Sequence, residues 1–314
     1  MTIEDRFVGT LLGTAVGDIL GAGIEGWHRD DIHSNFGEVR DFMSTDHGYG
    51  CYTDDTEMTL ALAQSIVKCR EVEGQHCAQT YARFYNPWRG YGTGSRVVLE
   101  ELKKGADYRK TGFLVFPEGS FGNGGAMRIA PVGLFGFHQS NEQLKKAVYE
   151  AVVCSHANPE GFDGAMIQAK AIALLVNENL NKWNPMSFLA KLFAVTSTNI
   201  MRRQLRYLKE VVQKGISEDE AVITIGNGIR ASEAVVCTLL ATIKYHKDPE
   251  NAVIQAVNWG GDCDTIGAMT GAQMGALHGR EWIPQRWLDN IENEIHGRDF
   301  IIRLGKQPFR VVIN

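Results

Sequence analysis

The stretch Thr265-Ile266-Gly267-Ala268-Met269-Thr270-Gly271-Ala272-Gln273-Met274-Gly275-Ala276-Leu277 predicts a helix with a glycine at every fourth position from Gly267. Residues four apart lie on the same face of a helix, so the glycines form one strip without side chains. Such a strip lets the backbone of another element approach closely. The pattern therefore predicts a helix that is buried at the centre of the fold.

Helical patterns dominate the rest of the chain. Apolar residues from Leu144 to Val152 follow the i, i+3, i+4, i+7, i+8 spacing of an amphipathic helix. Residues 54–67 and 231–243 also predict helices, the second apolar on most faces. Alternating patterns are scarce, residues 309–313 being the best candidate strand, and no segment is typical of a linker between domains. The sequence predicts a single all-α domain over residues 1–314.

The composition is that of a soluble globular protein, with 44% hydrophobic and 22% charged residues. A net charge of -5 provides no overall attraction to nucleic acid or to an anionic membrane, so neither is an expected partner. The N-terminus lacks the profile of a signal peptide, and no apolar run approaches the roughly 18 residues of a membrane span. The 6 cysteines lack metal-ligand spacing and are expected to be free thiols. These features favour the cytoplasm.

Two acidic segments, far apart in the chain, are predicted to meet around metal ions. They are Thr53-Asp54-Asp55-Thr56 and Asp262-Cys263-Asp264-Thr265, and each opens a predicted helix. Aspartate and threonine are also favoured helix N-caps, but a cap needs one such residue and each segment has two carboxylates. Carboxylates brought together would repel one another unless cations lay between them. Oxygen donors of this kind suit Mg²⁺, Mn²⁺ or Ca²⁺ better than zinc.

A third acidic element lies near the N-terminus, at Asp18 and Glu25. Glycines at positions 13, 17, 21 and 23 predict tight helix packing or a helix that runs into a loop, and Asp18 is expected to be a structural acid with local hydrogen bonds. Glu25 follows an apolar, glycine-rich stretch, where desolvation would raise the pKa of its carboxyl toward the range useful for acid–base chemistry. An ordinary surface glutamate is the alternative.

A glycine-rich run is a candidate anion site. It reads Glu118-Gly119-Ser120-Phe121-Gly122-Asn123-Gly124-Gly125-Ala126-Met127-Arg128. Exposed backbone N–H groups and a helix N-terminus can hold phosphate, although the run matches neither the Walker loop nor the dinucleotide fingerprint. His156 lies in another loop-like stretch, Ser155-His156-Ala157-Asn158, and taken alone indicates a packed or surface histidine rather than a catalytic one.

Together, and in this order, these segments resemble the ADP-ribosylglycohydrolase family, which includes bacterial dinitrogenase-reductase-activating glycohydrolases and animal ADP-ribosylhydrolases. The resemblance runs from about Phe7 to Leu277. Its most specific parts are Gly17-Asp18 with Glu25, Thr53-Asp54-Asp55-Thr56, Gly122-Asn123-Gly124 with Met127-Arg128, and Gly260-Gly261-Asp262 with Asp264-Thr265.

Further stretches distinguish between branches of this family. Those similar to the ADP-ribosylhydrolase 3 branch are Arg89-Gly90-Tyr91-Gly92, residues 120–128, Ser155-His156-Ala157, and Gly226-Asn227-Gly228-Ile229 with Glu233-Ala234-Val235. By contrast, Asn158-Pro159 with Gly161-Phe162 looks more like the arginine-directed branch.

The resemblance implies an orthogonal bundle of helices around a centre of two Mg²⁺ ions, with Mn²⁺ as a possible substitute. The implied metal ligands are Thr53, Asp54, Asp55, Asp262, Asp264 and Thr265. Glu25 corresponds to the mobile glutamate of the ADP-ribosylhydrolase 3 type, and Glu25 and Asp55 are the candidate catalytic residues. Cys263, between two ligand aspartates, should point away from the metal.

The resemblance also implies a substrate site. The residues that would hold the diphosphate are Gly119, Ser120, Phe121, Gly122 and Asn123. His156 would lie near the adenosine end, and either Phe116 or Phe121 would stack on the adenine.

The implied activity is magnesium-dependent hydrolysis at the anomeric carbon of the distal ribose, releasing ADP-ribose from a modified protein or a small molecule. Serine-linked ADP-ribose is the expected substrate, together with poly(ADP-ribose) or O-acetyl-ADP-ribose. An arginine-specific hydrolase is the alternative among enzymes. A non-catalytic relative, crystallin-like or transferase-blocking, is the alternative of another class, but the intact acidic segments and Glu25 favour catalysis.

Overall fold

The computed structural model describes residues 1–307, and nearly all of its regular structure is helical. The helices of the first half are α1 (Ile3–Ala22), α2 (Arg29–Phe36), α3 (Asp54–Cys69), α4 (Gly74–Phe84), α5 (Thr93–Lys103), α6 (Tyr108–Thr111), α7 (Gly124–Met127), α8 (Ala130–Phe135) and α9 (Asn141–Val152). Those of the second half are α10 (Pro159–Leu175), a 3-10 turn (Leu180–Lys182), α11 (Pro185–Phe193), α12 (Asn199–Lys214), α13 (Glu218–Ile225), α14 (Ala231–Lys244), α15 (Pro249–Asn258), α16 (Cys263–His278), α17 (Gln285–Leu288) and α18 (Arg298–Gly305).

The predicted all-α class is confirmed. Strand structure within residues 1–307 is limited to a small antiparallel hairpin of β1 (Ser44–Thr45) and β2 (Gly48–Tyr49). The candidate strand at residues 309–313 lies outside the described residues. All six cysteines are free thiols, as predicted. In the described part of the chain, none of the helices combines the length and the apolar character needed to cross a bilayer.

The centre of the fold is the contact between α1 and α16, which are both buried along almost their whole length. A Cβ atom on Gly17 would lie 1.9 Å from the carbonyl oxygen of Gly267, and one on Gly271 would lie 2.0 Å from that of Gly13. The two backbones therefore touch directly, and only glycine leaves room for this approach. The predicted burial of α16 is confirmed, and its partner is a second helix with glycines at the same spacing.

We expect the substitution Gly271→Ala to destabilise the protein by about 2–3 kcal/mol, because the added methyl group meets backbone that cannot move aside. Alanine's higher helix propensity offsets at most about 1 kcal/mol of this cost. The midpoint of urea unfolding measures the change. Gly92→Ala is the control, because its new Cβ would have no atom within 4 Å beyond its chain neighbours. Equal stability of the two variants would contradict the close helix contact.

This packing brings the ends of three helices to one place. Gly21, near the end of α1, packs against the start of α16, where a Cβ on Gly21 would lie 2.4 Å from the Cα of Asp264. Asp18 of α1 is fully buried and accepts hydrogen bonds from the backbone N–H groups of Thr53 and Thr56, both at 3.0 Å, and from the Thr56 hydroxyl at 2.6 Å. Asp18 is thus a structural acid, as predicted, but its partners belong to the start of α3 rather than to its own helix.

Candidate active site

A cavity of about 340 Å³ opens where α3 and α16 begin. It is lined by all but one of the residues that the sequence predicts for metal, catalysis or substrate. Those that line it are Glu25, Thr53, Asp54, Asp55, Phe116, Ser120, Phe121, Gly122, Asn123, His156, Asp262, Asp264 and Thr265. Two acidic segments that are remote in sequence therefore share one cavity with the glycine-rich run.

Carboxylate oxygens cluster at one end of this cavity. One oxygen from each of Glu25, Asp262 and Asp264 lies within 4.8 Å of the others, close enough for all three to ligate one metal ion. The hydroxyls of Thr53 and Thr265 each lie 3.3 Å from Oδ2 of Asp55. The other oxygen of Asp55, Oδ1, is buried without a hydrogen-bond partner. A buried carboxylate oxygen is costly to leave unpaired, so a cation bound at this end of the cavity would stabilise it.

The pKa values of the clustered carboxylates also indicate that a cation would stabilise this end of the cavity. Burial raises the pKa of Asp55 well above its ordinary value, and the carboxylates of Asp18, Asp54 and Asp262 raise it further. Burial and neighbouring carboxylates likewise raise the pKa of Asp264 well above its ordinary value. A divalent cation would relieve this repulsion, and hard ions prefer carboxylate and hydroxyl oxygens as ligands. The residues present therefore fit a divalent metal.

Glu25 lies between α1 and α2, held beside Asp262 by the backbone. The N–H of Gly26 donates to the carbonyl of Gly261 at 2.8 Å, and the N–H of Gly261 donates to the carbonyl of Trp27 at 3.0 Å. The Glu25 side chain is exposed to the cavity, but partial desolvation raises its pKa, as do the carboxylates of Asp262 and then Asp18. Glu25 therefore lies at the rim of the acidic cluster, with a carboxyl that binds its proton more tightly than a free one.

A turn formed by two consecutive glycines positions Asp262 at the cavity. Gly260 and Gly261 have φ angles of 75° and 70°, a backbone conformation that residues other than glycine rarely adopt. The Asp262 N–H then donates to the carbonyl of Asn227 at 2.8 Å, and Oδ2 of Asp262 accepts a hydrogen bond from the side-chain amide of Asn123. Asn123 was predicted to contact substrate, and this bond gives it a second role in orienting a predicted metal ligand.

The glycine-rich run forms a second part of the cavity lining, called here the glycine-rich wall. Its backbone is fixed by two hydrogen bonds to the start of α14, from the Asn123 N–H to the carbonyl of Ile229 at 2.9 Å and from the Ala231 N–H to the carbonyl of Phe121 at 3.1 Å. Gly119 differs from the prediction because it does not line the cavity. It makes a turn with φ of 77°, in which an added Cβ would lie 2.4 Å from the backbone nitrogen of Asn158. Its role in the structure is to close the turn.

The remaining predicted residues lie as follows. Phe116 and Phe121 line the cavity with 47% and 40% of their surface exposed, and the guanidinium of Arg230 lies over the ring of Phe121, 4.5 Å from its centre. His156 is buried, and its pKa is lowered to about 3 by burial and by the charge of Arg128, so the imidazole is neutral at physiological pH. Cys263 directs its thiol at the carbonyl of Gly21, at 3.5 Å, and so points away from the carboxylates, as predicted.

The start of α5 is a part of the site that the sequence did not assign to metal or substrate, although Arg89-Gly90-Tyr91-Gly92 contributed to the family resemblance. The cavity lining includes Gly90, Gly92, Thr93, Gly94 and Ser95. The N-cap Gly92 has no side chain to satisfy the first N–H groups of α5, which therefore face the cavity region without a side-chain cap. A sequence signal was present, because residues 89–95 form a second glycine-rich run that opens a helix.

The chain is similar to known proteins over nearly its whole length. The model of the ADP-ribosylglycohydrolase family matches residues 1–312. An uncharacterized protein of Archaeoglobus fulgidus is 31% identical over 99% of both chains. ADP-ribosylhydrolase ARH3 of Mus musculus is 30% identical over 91% of this chain and 87% of its own, and the Homo sapiens protein of that name is 29% identical over 91% and 89%.

A solved structure described as an ADP-ribosylglycohydrolase-related protein complex has the same fold. It superimposes with a TM-score of 0.76 and 27% sequence identity, covering 98% of each chain. The family match spans nearly the whole sequence, and the predicted family and fold are both confirmed. The chain therefore belongs to the ADP-ribosylglycohydrolase family and is a hydrolase.

Proposed function

We propose that this protein is a divalent-metal-dependent hydrolase that releases ADP-ribose, with serine-linked ADP-ribose on proteins as its preferred substrate. The observation that carries the proposal is a cavity whose lining combines a group of carboxylates with a glycine-rich segment. One wall holds the carboxylates of Glu25, Asp55, Asp262 and Asp264, and the other is the glycine-rich run 120–124. Similarity to relatives named ADP-ribosylhydrolase ARH3 supports the choice of substrate class.

The proposed metal ligands are the carboxylates and hydroxyls at the acidic wall. They are Thr53, Asp54, Asp55, Asp262, Asp264 and Thr265, with Mg²⁺ as the proposed ion and Mn²⁺ as a substitute. A bound divalent cation would offset the negative charge of these carboxylates and polarise the oxygens of the sugar. Support for this comes from the unpaired Oδ1 of Asp55 and from the raised pKa values of the cluster.

Glu25 is the proposed general acid–base residue. Cleavage at the anomeric carbon passes through an oxocarbenium-like state, which needs a proton donor for the leaving group or a base that activates water. Burial and the neighbouring carboxylates raise the pKa of Glu25, which favours its use as a proton donor or acceptor. Its exposure to the cavity also leaves the carboxyl free to approach the substrate.

The glycine-rich wall and the two phenylalanines are proposed to hold the rest of ADP-ribose. Backbone N–H groups of a glycine-rich segment suit a diphosphate, and an aromatic face suits adenine. The cavity volume of about 340 Å³ is within the usual range for a small-molecule site. His156 borders the same wall and would lie beside the diphosphate or the adenosine.

Release of free ADP-ribose from defined substrates tests this proposal. Peptides modified on serine, peptides modified on arginine, poly(ADP-ribose) and O-acetyl-ADP-ribose would be assayed side by side, with Mg²⁺ and with a chelator. We expect the serine-linked peptide to be cleaved fastest and the chelator to stop the reaction. Preference for arginine would establish the alternative linkage, which the stretch Asn158-Pro159 with Gly161-Phe162 favours. Release of no ADP-ribose from any substrate would overturn the proposed activity.

A further inference from the structure

Arg128, just beyond α7, is a fully buried cation without an acidic partner. Its side chain has no exposed surface, and in residues 1–307 it forms no ion pair with a carboxylate. Its guanidinium instead lies 4.8 Å from the ring centre of Tyr81. Burying a charge without a counter-charge is expensive, so an arginine here requires a specific role.

The guanidinium of Arg128 donates two short hydrogen bonds beneath the glycine-rich wall. Nη1 donates to the carbonyl of Gly124 at 2.6 Å, and Nη2 donates to the hydroxyl of Ser155 at 2.6 Å. Gly124 and Ser155 both line the cavity, whereas Arg128 does not. Arg128 therefore contacts two groups that line the cavity but does not line it itself. Any effect of Arg128 on a bound ligand must act through Gly124 or Ser155.

The Ser155 hydroxyl continues this chain of contacts to His156. Its oxygen lies 2.9 Å from Nδ1 of His156. Arginine can only donate a hydrogen bond, so Nδ1 is the acceptor available to the Ser155 hydroxyl hydrogen. If Nδ1 accepts this bond, the neutral ring must carry its proton on Nε2.

The Nε2 edge of the ring faces the glycine-rich wall. A Cβ on Gly124 would lie 2.9 Å from Nε2, and one on Gly122 would lie 3.7 Å from it. An N–H at this position would therefore add a side-chain donor to the backbone N–H groups of the wall. Arg128 also lowers the pKa of His156, which keeps the ring neutral and leaves the tautomer as the only variable.

We propose that Arg128 and Ser155 are positioning residues, which hold His156 in the Nε2–H tautomer so that it donates a hydrogen bond to the diphosphate of a bound substrate. The inference rests on the proposed function for the identity of the ligand. Arg128 orients the Ser155 hydroxyl, Ser155 fixes the tautomer, and the imidazole N–H meets the phosphate oxygen.

Nitrogen-15 NMR of the ligand-free protein tests the tautomer directly, because the protonated and unprotonated ring nitrogens resonate far apart. The His156 signals are assigned by their loss in His156→Gln. We expect a single Nε2–H form at neutral pH in the wild-type chain. In Ser155→Ala and in Arg128→Lys, we expect a mixture of the two neutral tautomers. Ser155→Ala decides the test if Arg128→Lys does not fold.

Ser65→Ala is the matched control. Ser65 is buried in α3, outside the cavity lining, and its hydroxyl lies 2.7 Å from Nδ1 of His76. This variant should change the signals of His76 and leave those of His156 as they were. It removes the same chemical group from a serine–histidine pair that has no contact with Arg128.

Calorimetric titration with ADP-ribose measures the effect on binding. A mixture of tautomers leaves only part of the population able to donate to the ligand. The affinity of Ser155→Ala and Arg128→Lys should therefore fall in inverse proportion to the Nε2–H fraction that NMR measures, about twofold for equal populations, and Ser65→Ala should bind as the wild type does. An Nδ1–H form in the wild type, or an unchanged tautomer in Ser155→Ala, would overturn the proposal. An altered tautomer with unchanged ADP-ribose affinity would overturn the contact between His156 and the diphosphate. If the wild type binds no ADP-ribose, the proposed function fails, while the tautomer still decides whether Arg128 and Ser155 position His156.

Discussion

Replacing Asp55 by asparagine is expected to abolish hydrolysis while making the metal-free protein more stable. The substitution keeps the size of the side chain but removes one charge from a set of buried carboxylates that repel one another. Loss of a metal ligand removes several kcal/mol of transition-state stabilisation, so the rate should fall on the order of 10³-fold or more. Stability should rise by about 1 kcal/mol, or roughly 2 °C in the unfolding temperature, because a buried charge no longer has to be desolvated.

The pH dependence of the free energy of unfolding also tests whether the buried charge of Asp55 destabilises the metal-free protein. The pKa of Asp55 is raised in the fold, so the ionised group costs stability above its folded pKa and costs none below its unfolded value of about 3.9. Metal-free wild-type protein should therefore become more stable as the pH falls through the folded pKa. Asp55→Asn should show a weaker dependence, and Mg²⁺ should raise the unfolding temperature of the wild type but not that of the variant.

Asp18→Asn is the matched control, since Asp18 is also a fully buried aspartate beside the cluster. All of its described partners are donors, namely the N–H groups of Thr53 and Thr56 and the Thr56 hydroxyl. An amide cannot accept from all of them, so this variant should be less stable than the wild type. Opposite signs for the two substitutions would support the assignment of Asp55 to the metal. Full hydrolytic activity in Asp55→Asn would refute it.

Glu25→Gln should lower turnover by about 10²- to 10⁴-fold and leave the affinity for ADP-ribose nearly unchanged. Glutamine keeps the shape of the side chain but can neither donate an acidic proton nor accept one. Single-turnover rates and calorimetric titration with ADP-ribose separate the two effects. Glu71→Gln, an exposed glutamate outside the cavity lining, is the control and should match the wild type. A large loss of affinity with normal turnover would make Glu25 a binding residue instead.

Much of the site could be predicted because its chemistry is carried by residue types that few structural roles require. Paired aspartates at Asp54-Asp55 and at Asp262 with Asp264 exceed what a helix cap needs, and the structure gathers them in one cavity.

Other parts of the site depend on contacts that no local pattern reveals. Gly119 belongs to the glycine-rich run but closes a turn against Asn158, because the neighbouring loop occupies the space next to it. Asn123 looks like a loop residue that faces substrate, yet it also donates to Asp262, which lies 139 positions away. Arg128 reads as an ordinary charged residue at the end of the run, and its complete burial is decided by the helices around it.

The sequence by itself determined that the chain is helical, that α16 is central, and that two acidic segments are the candidates for the metal and catalytic chemistry. These properties follow from periodicity and side-chain type, which act over a few residues and can be read locally. Only the tertiary structure decided which helix meets the glycine face of α16, which acid supports the start of α3, and which side chains stand behind the cavity. Those outcomes depend on steric fit and hydrogen bonding between segments far apart in the chain, and that fit exists only once the helices have packed.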